Sequence, residues 1–472
     1  MCGRTSLVSA RPECMKITQN PKPRDDFSKG SPMSLLSSRV VRISLASLLT
    51  GLFIGGVGAA FRLLLIKADN LRDELVLWAQ VLPYAGWLVP TVIGLTGAAL
   101  ARWLVVRFAP TAEGSGVQRV EALFNGEVKP APHGIVLVKF FGGLLAMGSG
   151  LALGREGPTV QMGASLSSLI SRFLVKQDED AKVVMAAGAG AGLGVAFNAP
   201  VGGSVFVFEE LTSTFTPWLL MGTLAAATFA VWTMRLFLGN HLDFVVRQVS
   251  LTAVWKGWPF LVLGAMVGAV GALYNSTIIA LLRACDRFIR ISTIQRAALI
   301  GASIGLIAWF APAMVGGGDN LTQAVLSDHY AVTALAGIFV LRFFIGPWSY
   351  AAGAPGGLFA PMLLLGASFG ALFGGVLNHF LPSLGVTSVA CAVVGMATLF
   401  TACVRAPLTG IVLTVEMTGR GDLTVALLGA SLVAMVVTML LGSEPIYETL
   451  KRRMIERQTG AHPAIASDNG FR

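Results

Sequence analysis

A succession of long apolar runs is the feature of this sequence that most restricts its fold. Only 13% of the residues are charged and the mean hydropathy is +0.71, values typical of an integral membrane protein with many crossings. Because hydrocarbon offers no partner for backbone N–H and C=O groups, runs of this length must form helices. We therefore predict an all-α polytopic membrane protein. The runs fall near residues 40–67, 84–108, 135–153, 159–174, 183–208, 217–238, 258–282, 296–315, 332–347, 358–380, 384–402, 406–417 and 424–442.

The charges at the two ends of the chain predict its orientation. Lys and Arg outnumber acids between Met1 and Arg42, and the closing stretch "ETLKRRMIERQTG" is basic as well. Cytoplasmic segments of membrane proteins carry this excess, so we predict that both termini are cytoplasmic and that the number of crossings is even. The net charge of +10 is explained by these ends, and we expect no nucleic-acid partner.

The apolar runs also divide the chain into regions. Residues 1–34 are polar and contain no apolar signal segment, so we predict a cytoplasmic, disordered tail. Residues 35–450 are the predicted transmembrane domain. We predict that residues 451–472 form a short basic cytoplasmic tail, and we expect no regulatory domain.

Glycine and proline interrupt several runs, and the interruptions occur in pairs. "FNAPVGGSVFVFEEL" (197–211) matches "VRAPLTGIVLTVEMT" (404–418), with Pro200 in register with Pro407 and Glu209 with Glu416. "GREGPTVQMGAS" near 154 corresponds in the same way to "GAPGGLFAPMLLLGAS" near 353. We predict two repeated halves, roughly 35–240 and 250–450. Interrupted helices at matching positions of two halves indicate a transporter with its substrate site near the middle of the membrane.

Three of the interruptions predict helices that begin inside the membrane. "AEGSGVQRVE", "GREGPTVQ" and "GAPGGLFAP" each place glycines before an apolar helix. The first turn of a helix has unpaired N–H groups and the positive end of the helix dipole, which together bind anions. Each stretch alone is equally compatible with simple helix punctuation and close glycine packing. The three together favour convergence on a bound anion.

The order of these motifs resembles that of the CLC family of chloride channels and chloride/proton antiporters. "GSG" (114–116), "GREGP" (154–158), "GAPGGLFAP" (353–361) and an isolated Tyr447 occur in the family's order. The resemblance implies an inverted repeat of about eighteen tilted and partly re-entrant helices. It also implies a homodimer with one ion path per subunit, cytoplasmic termini and a place in the cell's inner (plasma) membrane.

The resemblance further implies a set of chloride ligands. The hydroxyls of Ser115 and Tyr447 and the backbone N–H groups of Leu358 and Phe359 match the family's central chloride site, and backbone near Arg155 matches the outer one. Neutral donors of this kind select a halide and still release it. The sequence departs from the family after "GSG", because Gln118 replaces the usual proline.

Two glutamates are the candidates for proton transfer. Glu156 is an acid at a helix start inside the membrane, where charge is costly and its presence indicates function. Ionised, its carboxylate can occupy an anion position; protonated, it can leave. The resemblance assigns Glu156 the outer gate and Glu210 the inner proton transfer. We expect Arg155 to anchor structure and Glu416 to support the fold, and Lys139 and Glu121 to form structural ion pairs.

Other classes of protein fit the sequence less well. An enzyme requires a nucleophile with a base or a metal cluster, and the five histidines are scattered, with none paired with Cys, Asp or Glu at ligand spacing. We therefore predict no enzymatic activity, no metal and no cofactor. The sequence favours a chloride/proton antiporter whose partners are chloride, protons and the lipid bilayer. A passive chloride channel is the alternative, and a fluoride/proton antiporter or a cation-coupled symporter fits less well.

Overall fold

The fold is all-α in the computed structural model, which describes residues 38–82, 84–130, 134–175, 177–246, 257–287 and 291–459. The chain divides into two units, residues 1–41 and residues 42–472, and the candidate site lies entirely in the second. The helices of the described ranges are α1 Ser38–Gln80, α2 Leu88–Phe108, α3 Val117–Phe124, α4 Ile135–Gly148, α5 Glu156–Leu174, α6 Asp178–Phe197, α7 Pro200–Phe206, α8 Pro217–Leu238, α9 Trp258–Arg287, α10 Thr293–Phe310, α11 Asp319–Leu326, α12 Val332–Tyr350, α13 Phe359–Phe380, α14 Ser388–Val404, α15 Pro407–Thr418, α16 Thr424–Leu440 and α17 Ile446–Thr459.

The prediction of an all-α membrane protein is confirmed. Within the described ranges, nine helices are long and apolar enough to cross a membrane, and three shorter apolar helices accompany them. The chain in these ranges forms 17 α-helices, close to the expected eighteen. The predicted tail at residues 1–34 lies outside the described residues. The predicted boundary at residue 450 falls inside α17, so the first part of the predicted basic tail is helical.

The internal repeat is visible in how the helices pack. A Cβ added to Gly163 of α5 would lie 2.1 Å from the Gly188 carbonyl oxygen of α6, and one added to Gly366 of α13 would lie 2.3 Å from the Gly395 carbonyl oxygen of α14. Only glycine permits backbones to approach so closely. The α5/α6 pair and the α13/α14 pair therefore use the same contact at corresponding positions of the two halves.

The two repeated "AP" helices stabilise each other through their glutamates. α7 begins at Pro200 and continues as a π-helical segment, Val207–Leu211, whereas α15 begins at Pro407. The Glu416 carboxylate accepts hydrogen bonds from the N–H groups of Val201 (3.2 Å) and Gly202 (2.6 Å) at the start of α7.

The reverse contact is made by Glu209. Its carboxylate accepts hydrogen bonds from Leu408 N (3.0 Å), Thr409 N (2.6 Å) and Thr409 Oγ1 (2.8 Å) at the start of α15. Each carboxylate thus satisfies orphan donors of the other helix and complements its dipole. The prediction that Glu416 supports the fold agrees with this contact.

We expect Glu416→Ala to lower stability by about 1–2 kcal/mol, the usual effect of removing a helix cap. The substitution leaves the N–H groups of Val201 and Gly202 without an acceptor. Thermal unfolding in detergent should show a lower melting temperature than wild type. Glu179→Ala, at an exposed acid in the first turn of α6, is the control. Equal melting temperatures for the two variants would contradict the capping role.

Candidate functional site

Three glycine-rich loops meet at one place in the middle of the protein. Gly154 and Gly357 exchange two backbone hydrogen bonds (N to O, 2.9 and 2.7 Å), and Gly356 N–H donates to the Gly114 carbonyl oxygen (3.1 Å). Gly157 packs so closely on Ser115 that an added Cβ would lie 2.4 Å from Ser115 Oγ. The loops precede α3, α5 and α13, so three helix starts converge as the sequence predicts.

The carboxylate of Glu156 lies at the start of α13. Glu156 Oε1 accepts a hydrogen bond from Phe359 N–H at 2.7 Å, and the Ala360 N–H also stabilises this carboxylate. Glu156 is completely buried, and its second oxygen, Oε2, has no partner among the described residues. A carboxylate therefore occupies the position at which a helix start binds an anion.

The other predicted ligands surround this carboxylate with unused donors. Ser115 and Tyr447 are completely buried, and within the described ranges neither hydroxyl has a hydrogen-bond partner. The Tyr447 hydroxyl lies close to the Ser115 hydroxyl and to the Glu156 carboxylate. Leu358, the residue before α13, is also buried, and its N–H donates to no described backbone carbonyl. Leaving a buried hydroxyl without a partner costs about 1–3 kcal/mol, so this arrangement fits a bound anion.

Two further contacts fix the geometry of the loops. Lys139 of α4, completely buried, donates from Nζ to the carbonyl oxygens of Gly114 (2.7 Å) and Ser115 (3.1 Å). These bonds hold the two loop carbonyl oxygens on the Lys139 side of the loop. The Phe359 ring packs on the rings of Phe400 and Tyr447, with centroids 4.6 and 5.7 Å apart, which holds its N–H in place.

Cavities approach the site from two sides. The first, here named the Arg155 vestibule, has a volume of about 590 Å³ and is lined by residues that include Gly154, Arg155, Asp243, Asp319 and Ala360. The second, the α17 vestibule, has a volume of about 250 Å³ and is lined by residues that include Gly114, Gln118, Tyr350, Arg296, Arg453 and Arg457.

The two vestibules open at opposite ends of α10. Arg296, in the first turn of α10, lines the α17 vestibule, whereas Pro312, just after α10 ends, lines the Arg155 vestibule. The 18 residues of α10 separate them by about 27 Å. Glu156 borders the first vestibule through Gly154, and Ser115 borders the second through Gly114. The described residues therefore outline a route across the protein that is closed at its centre by buried side chains.

Arg155 forms its described ion pairs with residues other than its neighbour Glu156. Its guanidinium forms ion pairs with Asp319 and with Asp243 (3.5 Å), and its Nε donates to the Ala196 carbonyl oxygen at 2.8 Å. Asp243 is also paired with Arg62 at 2.5 Å. The expectation that Arg155 anchors structure fits these contacts, and its positive charge also lies at the wall of the vestibule.

The two consecutive glutamates at the end of α7 have different surroundings. Glu209 is engaged in capping α15, as described above. Glu210 is partly buried and forms no described hydrogen bond or ion pair, but it interacts electrostatically with Glu121 of α3 and with Glu448 and Lys451 of α17. It is not among the described residues that line the α17 vestibule. Glu210 therefore lies near α3 and α17.

The expected ion pairing is partly wrong. Glu121 does form an ion pair, but its partner is Lys451 of α17, at 2.6 Å. Lys139 has no carboxylate partner among the described residues and instead donates to the two loop carbonyls. Sequence reasoning also missed Tyr350, whose hydroxyl accepts from Ser115 N–H at 3.4 Å. Its place just before the "GAPGG" loop was the signal that could have found it.

Comparisons with known proteins agree with this geometry. The sequence model of the family described as voltage gated chloride channel matches residues 97–439. The H(+)/Cl(-) exchange transporter ClcA of Vibrio parahaemolyticus is 37% identical over 423 residues, covering 86% of this chain and 89% of that protein.

Solved structures show the same fold. The crystal structure of a slow cyanobacterial Cl-/H+ antiporter superposes with a TM-score of 0.85 at 32% identity, covering 89% of this chain and 99% of the other. The crystal structure of a CLC-type fluoride/proton antiporter gives a TM-score of 0.73 at 20% identity, covering 89% of this chain and 98% of the other, and shows the fold alone. The family match extends over most of the chain and includes the three loops of the site. The protein belongs to the voltage gated chloride channel family, the CLC family.

Proposed function

We propose that the protein is a secondary active antiporter that exchanges chloride for protons across the membrane. The observation that carries this proposal is the Glu156 carboxylate bound to Phe359 N–H, beside the buried and unpartnered hydroxyls of Ser115 and Tyr447. One titratable group occupies a position that an anion would fill. Relatives named as H(+)/Cl(-) exchange transporters support the assignment.

Glu156 is proposed as the outer gate and proton acceptor. While ionised, its carboxylate accepts from the Phe359 N–H and excludes chloride from that position. When it gains a proton from the Arg155 vestibule, it loses its charge, binds the helix start less well and leaves the position to chloride. Each proton bound therefore opens the site to chloride, and each proton lost closes it.

Chloride is proposed to bind between Ser115 Oγ, Tyr447 Oη and the N–H groups of Leu358 and Phe359. All four are neutral donors in a buried site, and the favourable potential for an anion comes from the helix starts. Such a site attracts an anion but releases it readily, as transport requires. Backbone near Arg155 contributes to the outer part of the route.

Glu210 is proposed as the inner proton-transfer residue. Proton coupling requires a second acid on the side opposite to the entrance beside Glu156. Glu210 lies with Glu121 and Glu448 near α17, and its carboxyl makes no described hydrogen bond that would hold it in a structural role. Glu210 is not among the described residues that line the α17 vestibule, and we propose that protons and chloride follow separate routes on this side. A passive channel, the alternative, requires no such acid.

The membrane setting and assembly follow from the same proposal. We infer that the α17 side is cytoplasmic, since the basic residues at both ends of the chain favour that orientation, and that the membrane is the cell's inner membrane. We also propose a homodimer with one ion path in each subunit. Exposed apolar side chains on α16, among them Leu432 and Val436, suit a lipid or subunit contact.

A flux assay tests the function directly. In proteoliposomes that contain the purified protein, an imposed chloride gradient should drive protons uphill, against their own gradient, in the direction opposite to chloride. Liposomes without protein are the control. Chloride flux without uphill proton movement would contradict the exchanger and favour the channel. Repeating the assay with fluoride in place of chloride separates the fluoride antiporter from the chloride one.

A further inference from the structure

Gln118 and Tyr350 form a polar pair between Ser115 and the α17 vestibule. Gln118 is 7% exposed and Tyr350 is 6% exposed, and both line the vestibule. Tyr350 Oη accepts from Gln118 Nε2 and from Ser115 N–H, each at 3.4 Å. The hydroxyl also packs on Gly114, where an added Cβ would lie 2.8 Å from Oη. The pair therefore touches the loop that carries Ser115.

The pair has a hydrogen-bond donor for which no described group is the acceptor. Tyr350 Oη accepts twice, and its own O–H donates to no described acceptor. Gln118 Oε1 has no described partner either. If the amide is rotated so that Oε1 accepts from the Tyr350 O–H, the Gln118 NH₂ group becomes free instead. In both arrangements, an N–H or O–H donor is left for a ligand.

The charge of the α17 vestibule indicates that the ligand of this donor is an anion. Its lining includes Arg119, Arg296, Arg453 and Arg457, against Glu113 and Asp286 as the acids. A cavity with an excess of one charge raises the local concentration of the opposite ion. An anion is therefore concentrated next to the unused donor of the pair.

We propose that the Gln118–Tyr350 pair selects the anion at the α17 end of the route. This inference rests on the proposed chloride transport and assigns two residues to it beyond the central site. The free O–H or N–H hydrogen-bonds the anion as it passes between the vestibule and Ser115. Small anions that accept strong hydrogen bonds are favoured, and large, weakly accepting anions are not. Gln118 stands where the family pattern places a proline.

The test compares chloride with thiocyanate in proteoliposomes. Tyr350→Phe removes the hydroxyl and keeps the ring, and Gln118→Met removes the amide at similar volume. Because a hydrogen bond to an ion is lost, we expect the ratio of chloride to thiocyanate flux to fall on the order of tenfold in the double variant. Proton movement per chloride should stay at the wild-type value. Tyr330→Phe, which removes a hydroxyl from the Arg155 vestibule, is the matched control and should leave the ratio unchanged.

Three outcomes separate the possibilities. A wild-type flux ratio in both single variants and in the double variant overturns the proposal while leaving the transport function intact. An equal fall in both fluxes, together with a lower melting temperature, indicates a purely structural pair and also overturns it. Absence of chloride flux in wild type contradicts the proposed function itself.

Discussion

Glu156→Gln should abolish proton movement while chloride continues to flow. A glutamine keeps the size of the side chain but cannot take up and release a proton, so it cannot couple the two ions. A positioned acid or base contributes on the order of 10²–10⁴-fold to proton transfer, and we expect proton flux to fall at least about 100-fold. The measurement is proton uptake into proteoliposomes driven by a chloride gradient, with chloride efflux recorded in the same preparation.

The control for this variant is an acid outside the route. Glu127→Gln changes an exposed glutamate in the loop after α3 and should leave both fluxes at wild-type values. Uphill proton movement that survives in Glu156→Gln would remove Glu156 from the mechanism. Loss of both fluxes in a correctly folded variant would indicate that the carboxylate is needed for the structure of the site and not as a gate.

Glu210→Gln should also lose proton coupling, because it removes the acid on the side of the protein opposite to Glu156. Chloride ligands and the Glu156 gate are unchanged in this variant, so chloride flux should remain within a few-fold of wild type. Proton flux should again fall by at least about 100-fold, because the protonatable group on the α17 side is missing. The same flux assay measures both quantities.

The neighbouring residue provides a matched control. Glu209→Gln removes the charge that caps α15, so we expect a lower melting temperature and an unchanged number of protons per chloride. If Glu209→Gln lost coupling and Glu210→Gln kept it, the roles of the two acids would be reversed. If both variants kept coupling, the inner proton route would have to use another acid, and Glu121 and Glu448 are the nearest candidates.

Much of the candidate site could be predicted because its signals are local. The starts of α5 and α13 follow from glycine and proline within a few residues, and α3 starts directly after "GSG". The prediction of three convergent helix starts needed only the general rule that broken backbone in a membrane surrounds a cavity. The match of Pro200 with Pro407 could likewise be predicted from the internal sequence repeat alone.

The contacts that distant segments make could not be predicted in the same way. Lys451 pairs with Glu121, which is 330 residues away. From charge alone, several other residues could have been the partner of either side chain. The sequence placed Lys139 in an ion pair, but the fold brings two carbonyl oxygens to its ammonium group instead. Tyr350 lies just before the "GAPGG" loop, but its importance depends on its hydroxyl oxygen lying beside Ser115 N–H, which only the fold shows.

The adjacent acids Glu209 and Glu210 show most clearly which features the sequence determines and which depend on the tertiary structure. The sequence by itself determined that the chain is a helical membrane protein, that its halves repeat and that helices begin at the three glycine-rich loops, because hydrophobicity and backbone restrictions act over short distances. It also placed two acids together at the end of an apolar helix. Only the tertiary structure decided that Glu209 caps α15 while Glu210 faces α3 and α17. The direction of a side chain at a helix end depends on which other helices pack there, and here they include α15 from the opposite half of the chain and α17 from its last segment.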